Sequence, residues 1–66
     1  MNRAHALNWA RIALAMARID EERHIRLLDG YGMDSAADRC RVRVAGLESA
    51  DAVIADILSE EIQRES

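Results

Sequence analysis

From Asn2 to Asp29 the chain contains nothing that breaks a helix, and the first strong breaker is Gly30-Tyr31-Gly32. A second unbroken run then follows to about Gln63. There is no proline and no phenylalanine, and twelve alanines are spread over both runs. Alanine favours helix, whereas strands draw on β-branched and aromatic residues, so the pattern predicts an all-α fold. Helix one is expected over about 2–29, a turn over 30–34 and helix two over about 35–63, together forming one domain over 1–66. Glycine just past a helix end supplies the positive φ of a turn. Asp34 or Ser35 is placed to cap the second helix through its side-chain oxygen. Gly46 weakens helix two by roughly 1 kcal/mol relative to alanine. A kink there, with Ser49 as a new cap, is an alternative to one continuous helix.

The first run is apolar around most of its circumference. At 100° per residue, Asn8, Arg11, Arg18, Glu22 and Arg26 share a polar face. One seam reads Leu7, Ala10, Leu14, Ala17, Glu21, His24, Leu28, in alternating steps of three and four. A second stripe reads Trp9, Ile12, Met16, Ile19. A helix so widely apolar has to be covered on more than one side. Helix two carries Cys40, Val44, Leu47, Ile54 and Leu58 in line, flanked by Ala36, Ala50, Val53 and Ile57. Two helices of similar length joined by a short turn form an antiparallel hairpin. A 66-residue chain is marginal as a monomer and needs a disulfide, a metal or a partner. One cysteine cannot form an internal disulfide. The expectation is therefore a homodimer of hairpins, pairing into a four-helix bundle through Trp9, Ile12, Met16 and Ile19.

The net charge of −3 conceals an asymmetry. Residues 1–43 hold eight arginines and six acids; residues 44–66 hold Arg64 and six acids. The acidic end either meets a basic partner or lies beside Arg3, Arg11 and Arg18 of the same chain, as an antiparallel arrangement would bring about. No apolar run approaches the roughly 18 residues of a membrane span. Asn8, Arg11 and Arg18 interrupt the uninterrupted apolar stretch that a signal peptide requires. A cytoplasmic location without membrane contact is expected.

Candidate chemistry centres on Glu21 and His24. Counting outward from a turn near Gly32 pairs residues whose numbers sum to about 64, which sets Glu21 beside Arg43 and His24 beside Cys40. Glu-x-x-His on a helix is half of a di-iron carboxylate site, and His with Cys suits zinc. A di-iron site also needs carboxylates from two further helices, but the facing positions hold Cys40, Arg43 and Val44, and Asp51 lies two turns away. The favoured reading is a core polar pair, Glu21 with Arg43, beside a hydrogen-bonded His24, setting the pairing register without a metal or other cofactor. Catalytic motifs are missing: there is no glycine-rich phosphate loop and no nucleophile with an orienting base. The expectation is a non-enzymatic regulator that binds another macromolecule, a protein of the kind met by adaptors, antitoxins or phage-type inhibitors. Tyr31 in the turn, with Asp56, Glu60 and Glu61 in the acidic end, are the candidate partner contacts, aromatic residues being enriched at interface hot spots.

Ala6-Leu7-Asn8-Trp9-Ala10-Arg11 and Ala37-Asp38-Arg39-Cys40 are similar to strings in the Rop family of plasmid copy-number RNA-binding helical hairpins. They cover about ten of the 66 residues. The resemblance implies a homodimer whose first helices grip paired RNA loops. Residue by residue it implies roles for Asn8, for Ile12 where the family has an aromatic, and for Arg23 where it has a lysine. Met16 stands where the family has glutamine, so the aromatic and the glutamine are both replaced. An RNA-binding regulator is the alternative function.

Overall fold

The computed structural model describes residues 2–65. Two helices, α1 (Arg3–Gly30) and α2 (Asp34–Glu65), run antiparallel as a hairpin with Cα extents of 51 × 17 × 12 Å. α1 opens on Asn2, whose extended backbone and side-chain oxygen form an N-cap; Oδ1 accepts from the backbone N–H of His5 at 2.8 Å.

The turn is a Schellman closure. Met33 N–H donates to the Leu28 carbonyl at 2.9 Å, and Gly32 N–H donates to that of Asp29 at 3.1 Å. Gly32, at φ +71°, is the residue that lets the chain leave the helix in this way. The first bond of α2 runs from Ala37 N–H to the Met33 carbonyl at 3.0 Å. Asp34 is thus the first residue of α2 and not a side-chain cap, because the closure has already committed Met33 to the boundary. Its carboxylate still suits the positive end of the helix dipole. α2 continues through Gly46 without a break.

The seam of α1 that faces α2 consists of Leu7, Ala10, Leu14, Ala17, Glu21 and Leu28, all partly covered. Opposite stand Val44, Leu47, Asp51, Ile54 and Leu58, also partly covered. Among the described residues only Ala37 and Cys40 are fully buried, where α2 lies against α1 near the turn. Val53, expected beside the seam, points outward instead. Trp9, Ile12, Met16 and Ile19 are exposed, Trp9 at 61% and Met16 at 63%, and Leu27 extends the same stripe. Helical geometry sets this stripe roughly half a turn away from the α2-facing seam. α1 therefore has two apolar faces, and one hairpin covers one of them.

Candidate functional site

Near the turn end, Glu21 and His24 of α1 meet Cys40 and Arg43 of α2. Glu21 and His24 are three residues apart, which sets them on adjacent turns of one face. One ligand-type atom from each of Glu21, His24 and Cys40 lies within 4.8 Å of the other two. Arg43 Nε donates to Glu21 Oε1 at 3.1 Å, and Arg43 Nη2 donates to Cys40 Sγ at 3.2 Å. These contacts, the Cys40 hydrogen bond foremost and the Glu21 charge next, hold the Arg43 guanidinium above its usual pKa range. The second carboxylate oxygen of Glu21, Oε2, is enclosed and meets no hydrogen-bond donor among the described residues.

The layer differs from a core pair in its exposure. The Glu21 side chain is 23% exposed, whereas that of Arg43 is 56% exposed and His24 is also open to solvent. Glu21 and Cys40 form the inner wall, while His24 and Arg43 stand at the rim. The reason is reach: the long Arg43 side chain touches Glu21 and Cys40 with its guanidinium while more than half of it stays in solvent.

Charge is distributed along the rest of the hairpin in cross-helix pairs. Arg11 Nε donates to Asp51 Oδ1 at 2.9 Å and Nη2 to Oδ2 at 3.2 Å, a bidentate pair. It holds Arg11 above its usual range and, through the hydrogen bond first and the positive charges of Arg11 and Arg18 besides, holds Asp51 below the usual carboxylate range. Arg3 lies 3.2 Å from Glu61, and Arg18 lies 3.5 Å from Glu22 on its own helix. Arg41 bridges Asp29 and Asp38, the Asp38 hydrogen bond being the main cause of its raised pKa. Two acids of α2, Asp51 and Glu61, thus face Arg11 and Arg3 of α1.

Of the candidate partner contacts, Tyr31, Asp56 and Glu60 are exposed. Glu61 is not a free surface acid: its side chain is mostly covered, between Arg3 and Arg64. Asn8, Ile12 and Arg23 are exposed on α1. The expectation that the acidic end could lie beside Arg3, Arg11 and Arg18 covers Arg3–Glu61 and Arg11–Asp51, although it named no partner for either, whereas Arg18 pairs with Glu22 on its own helix. Leu14, Arg18, Leu47 and Asp51 line an open groove between the helices. Among the described residues no helix is long and apolar enough to cross a membrane. No protein-family model, curated protein or solved structure matches the chain.

Proposed function

We propose that the chain is a non-enzymatic interaction protein that pairs with a second copy through the outer face of α1 and uses the remaining polar surface to bind and modulate a protein partner. The observation that supports this reading is the uncovered stripe Trp9, Ile12, Met16, Ile19 and Leu27. A compact monomer of 7.4 kDa would expose about 4,200 Å², whereas the hairpin exposes 4892 Å². Its radius of gyration is 15.3 Å, against about 11 Å for a compact chain of this length. Both quantities exceed those of a compact monomer, as the elongated shape of a hairpin requires, and they leave apolar surface that a second copy would cover.

A second copy suits the stripe. Trp9, Ile12, Met16 and Ile19 repeat in steps of three, four and three, the spacing by which helices interdigitate as knobs into holes. Among the described residues the large exposed apolar side chains of α2 are Val42, Val53 and Ile62, far apart along the helix and forming no stripe, which favours α1 as the pairing helix. The four-helix bundle then has the two α1 helices at its centre, each between its own α2 and the other copy. Tyr31, Asp56 and Glu60 stay exposed for the protein partner.

Sedimentation equilibrium at micromolar concentration tests the pairing. The chain should sediment as a dimer, Met16→Glu should give monomer or unfolded chain, and Val53→Glu should leave the dimer intact. A folded wild-type monomer at that concentration would overturn the proposal. Rop-like RNA binding is the alternative, and it competes for the same surface, because Ile12 lies within the stripe. RNA binding that weakens steeply with added salt would favour it, since phosphate contacts release counterions.

A further inference from the structure

We propose that Glu21, His24 and Cys40 form a zinc site within each hairpin, with Arg43 as a resident cation that the metal displaces. The site lies near the turn and takes no residue from the outer stripe of α1, and its readout, metal bound per chain, is distinct from the oligomeric state that tests the pairing proposed above.

Three observations converge on it. The first is proximity: an acidic oxygen, an imidazole nitrogen and a thiol sulfur from two different helices all fall within 4.8 Å of one another. Ligand atoms around tetrahedral zinc stand roughly 3.3–3.7 Å apart, given bonds of about 2.0–2.3 Å. Side-chain rotation of about 1 Å closes the difference. The second is the enclosed Glu21 Oε2, an acceptor without a donor. A buried carboxylate oxygen left in this way is costly, and a metal ion would satisfy it. The third is that a positive group already occupies the place: the Arg43 guanidinium bonds Glu21 Oε1 and Cys40 Sγ together. The pocket is built for a cation, and the cation now there belongs to a side chain that is more than half exposed and free to swing into solvent.

The donor set selects the metal. Thiolate with imidazole and one carboxylate suits zinc; magnesium and calcium require oxygen ligands throughout. A di-iron centre needs further carboxylates, and Cys40, Arg43 and Val44 hold the facing positions. Binding converts Cys40 from thiol to zinc-bound thiolate, forming the S–Zn bond and releasing the thiol proton to solvent, while Arg43 leaves with its charge unchanged. Cys40 is buried, so the ion enters from the side of His24, which is open. Three protein ligands leave the fourth position to water. The ion ties α1 to α2 at a point where the chain has no disulfide.

Titration of the chelator-treated 66-residue chain with cobalt(II), followed by zinc competition, tests the site. One cobalt per chain should bind with thiolate-to-metal charge-transfer absorption, zinc should abolish that band, and zinc should raise the melting temperature. His24→Ala, Cys40→Ser and Glu21→Gln should each weaken binding by more than the roughly 10–100-fold that loss of a mere supporting contact costs. Arg43→Ala should bind more tightly than wild type, because the competing cation is gone; a variant that merely destabilised the fold would bind less. Helical circular dichroism of each metal-free variant shows whether it is folded. Absence of the band in wild type, a band that survives His24→Ala, or one ion per two chains would overturn the proposal.

Discussion

Arg11 and Asp51, forty residues apart in the chain, grip each other through two hydrogen bonds of 2.9 and 3.2 Å and fix the height of α1 against α2. Asp51 sits near the middle of α2 and Arg11 about a third of the way along α1, and a slip of one turn would separate them. The pair is a polar contact with one permitted alignment, in contrast to Leu and Ala layers, which repeat every few residues and tolerate sliding.

The pair makes stability depend on pH in a defined direction. Asp51 has its folded-state pKa lowered by the Arg11 hydrogen bond, so it binds its proton more weakly folded than unfolded. Its contribution is fully present above the unfolded value of about 3.9 and is lost as pH falls through the lower folded value. Thermal melts of wild type and Asp51→Asn should differ by a constant amount above about pH 5, and the difference should shrink below pH 4. A difference that grows on acidification would contradict the pairing.

The two apolar faces of α1 make Trp9 a reporter of association. In the single hairpin its side chain is largely exposed. Across a dilution series its fluorescence should shift to the blue and become less accessible to a neutral quencher as concentration rises. Emission independent of concentration, with the wet wavelength of a free indole, would place the contact elsewhere.

How much of this was legible in the sequence differs from residue to residue. The all-α hairpin follows from two breaker-free runs around Gly30-Tyr31-Gly32, because local propensity and the glycine signal agree there. Counting from the turn places Glu21 at the height of Arg43, and the hairpin holds Arg43 Nε 3.1 Å from Glu21 Oε1. Height is a matter of rise per residue, which the sequence carries. The reach of long side chains it does not carry. That is why Arg43 lies at the rim and why Arg11 leaves the polar face for Asp51, whereas Val53 turns outward as 100° per residue, counted from Ile54 and Leu58, already dictates. The start of α2 falls within one residue of the expected one, but Asp34 enters it as the first helical residue and not as a side-chain cap, because the backbone bonds around Gly32 set the boundary.

The glycines should respond to alanine with opposite signs. Gly46 lies inside α2 with open space where a Cβ would go, so Gly46→Ala should stabilise by about 0.5–1 kcal/mol. Gly32 has equally open space but a φ of +71°, so Gly32→Ala should cost roughly 1–2 kcal/mol. Melting temperatures, compared at one protein concentration, should move by several degrees in opposite directions, at roughly 4–8 °C per kcal/mol for a domain of this size. Two shifts of the same sign would refute the helix through Gly46 or the closure at Gly32.

Ala37 and Cys40 are the two fully buried side chains among the described residues, at 0% and 1% exposure. With no room beside it, a larger side chain at residue 37 must push α2 away from α1. Ala37→Leu should therefore destabilise by about 1–3 kcal/mol, despite adding apolar surface. The same change at Ala52, exposed on the outer side of α2, adds a similar side chain in open space and should leave stability nearly unchanged. Chemical denaturation of the two variants separates packing from helix propensity, since leucine and alanine are both good helix formers. Equal midpoints for the two would mean that the helices do not meet at Ala37. Separation of α2 there would also draw Cys40 away from Glu21 and His24, so Ala37→Leu should weaken cobalt binding while Ala52→Leu does not.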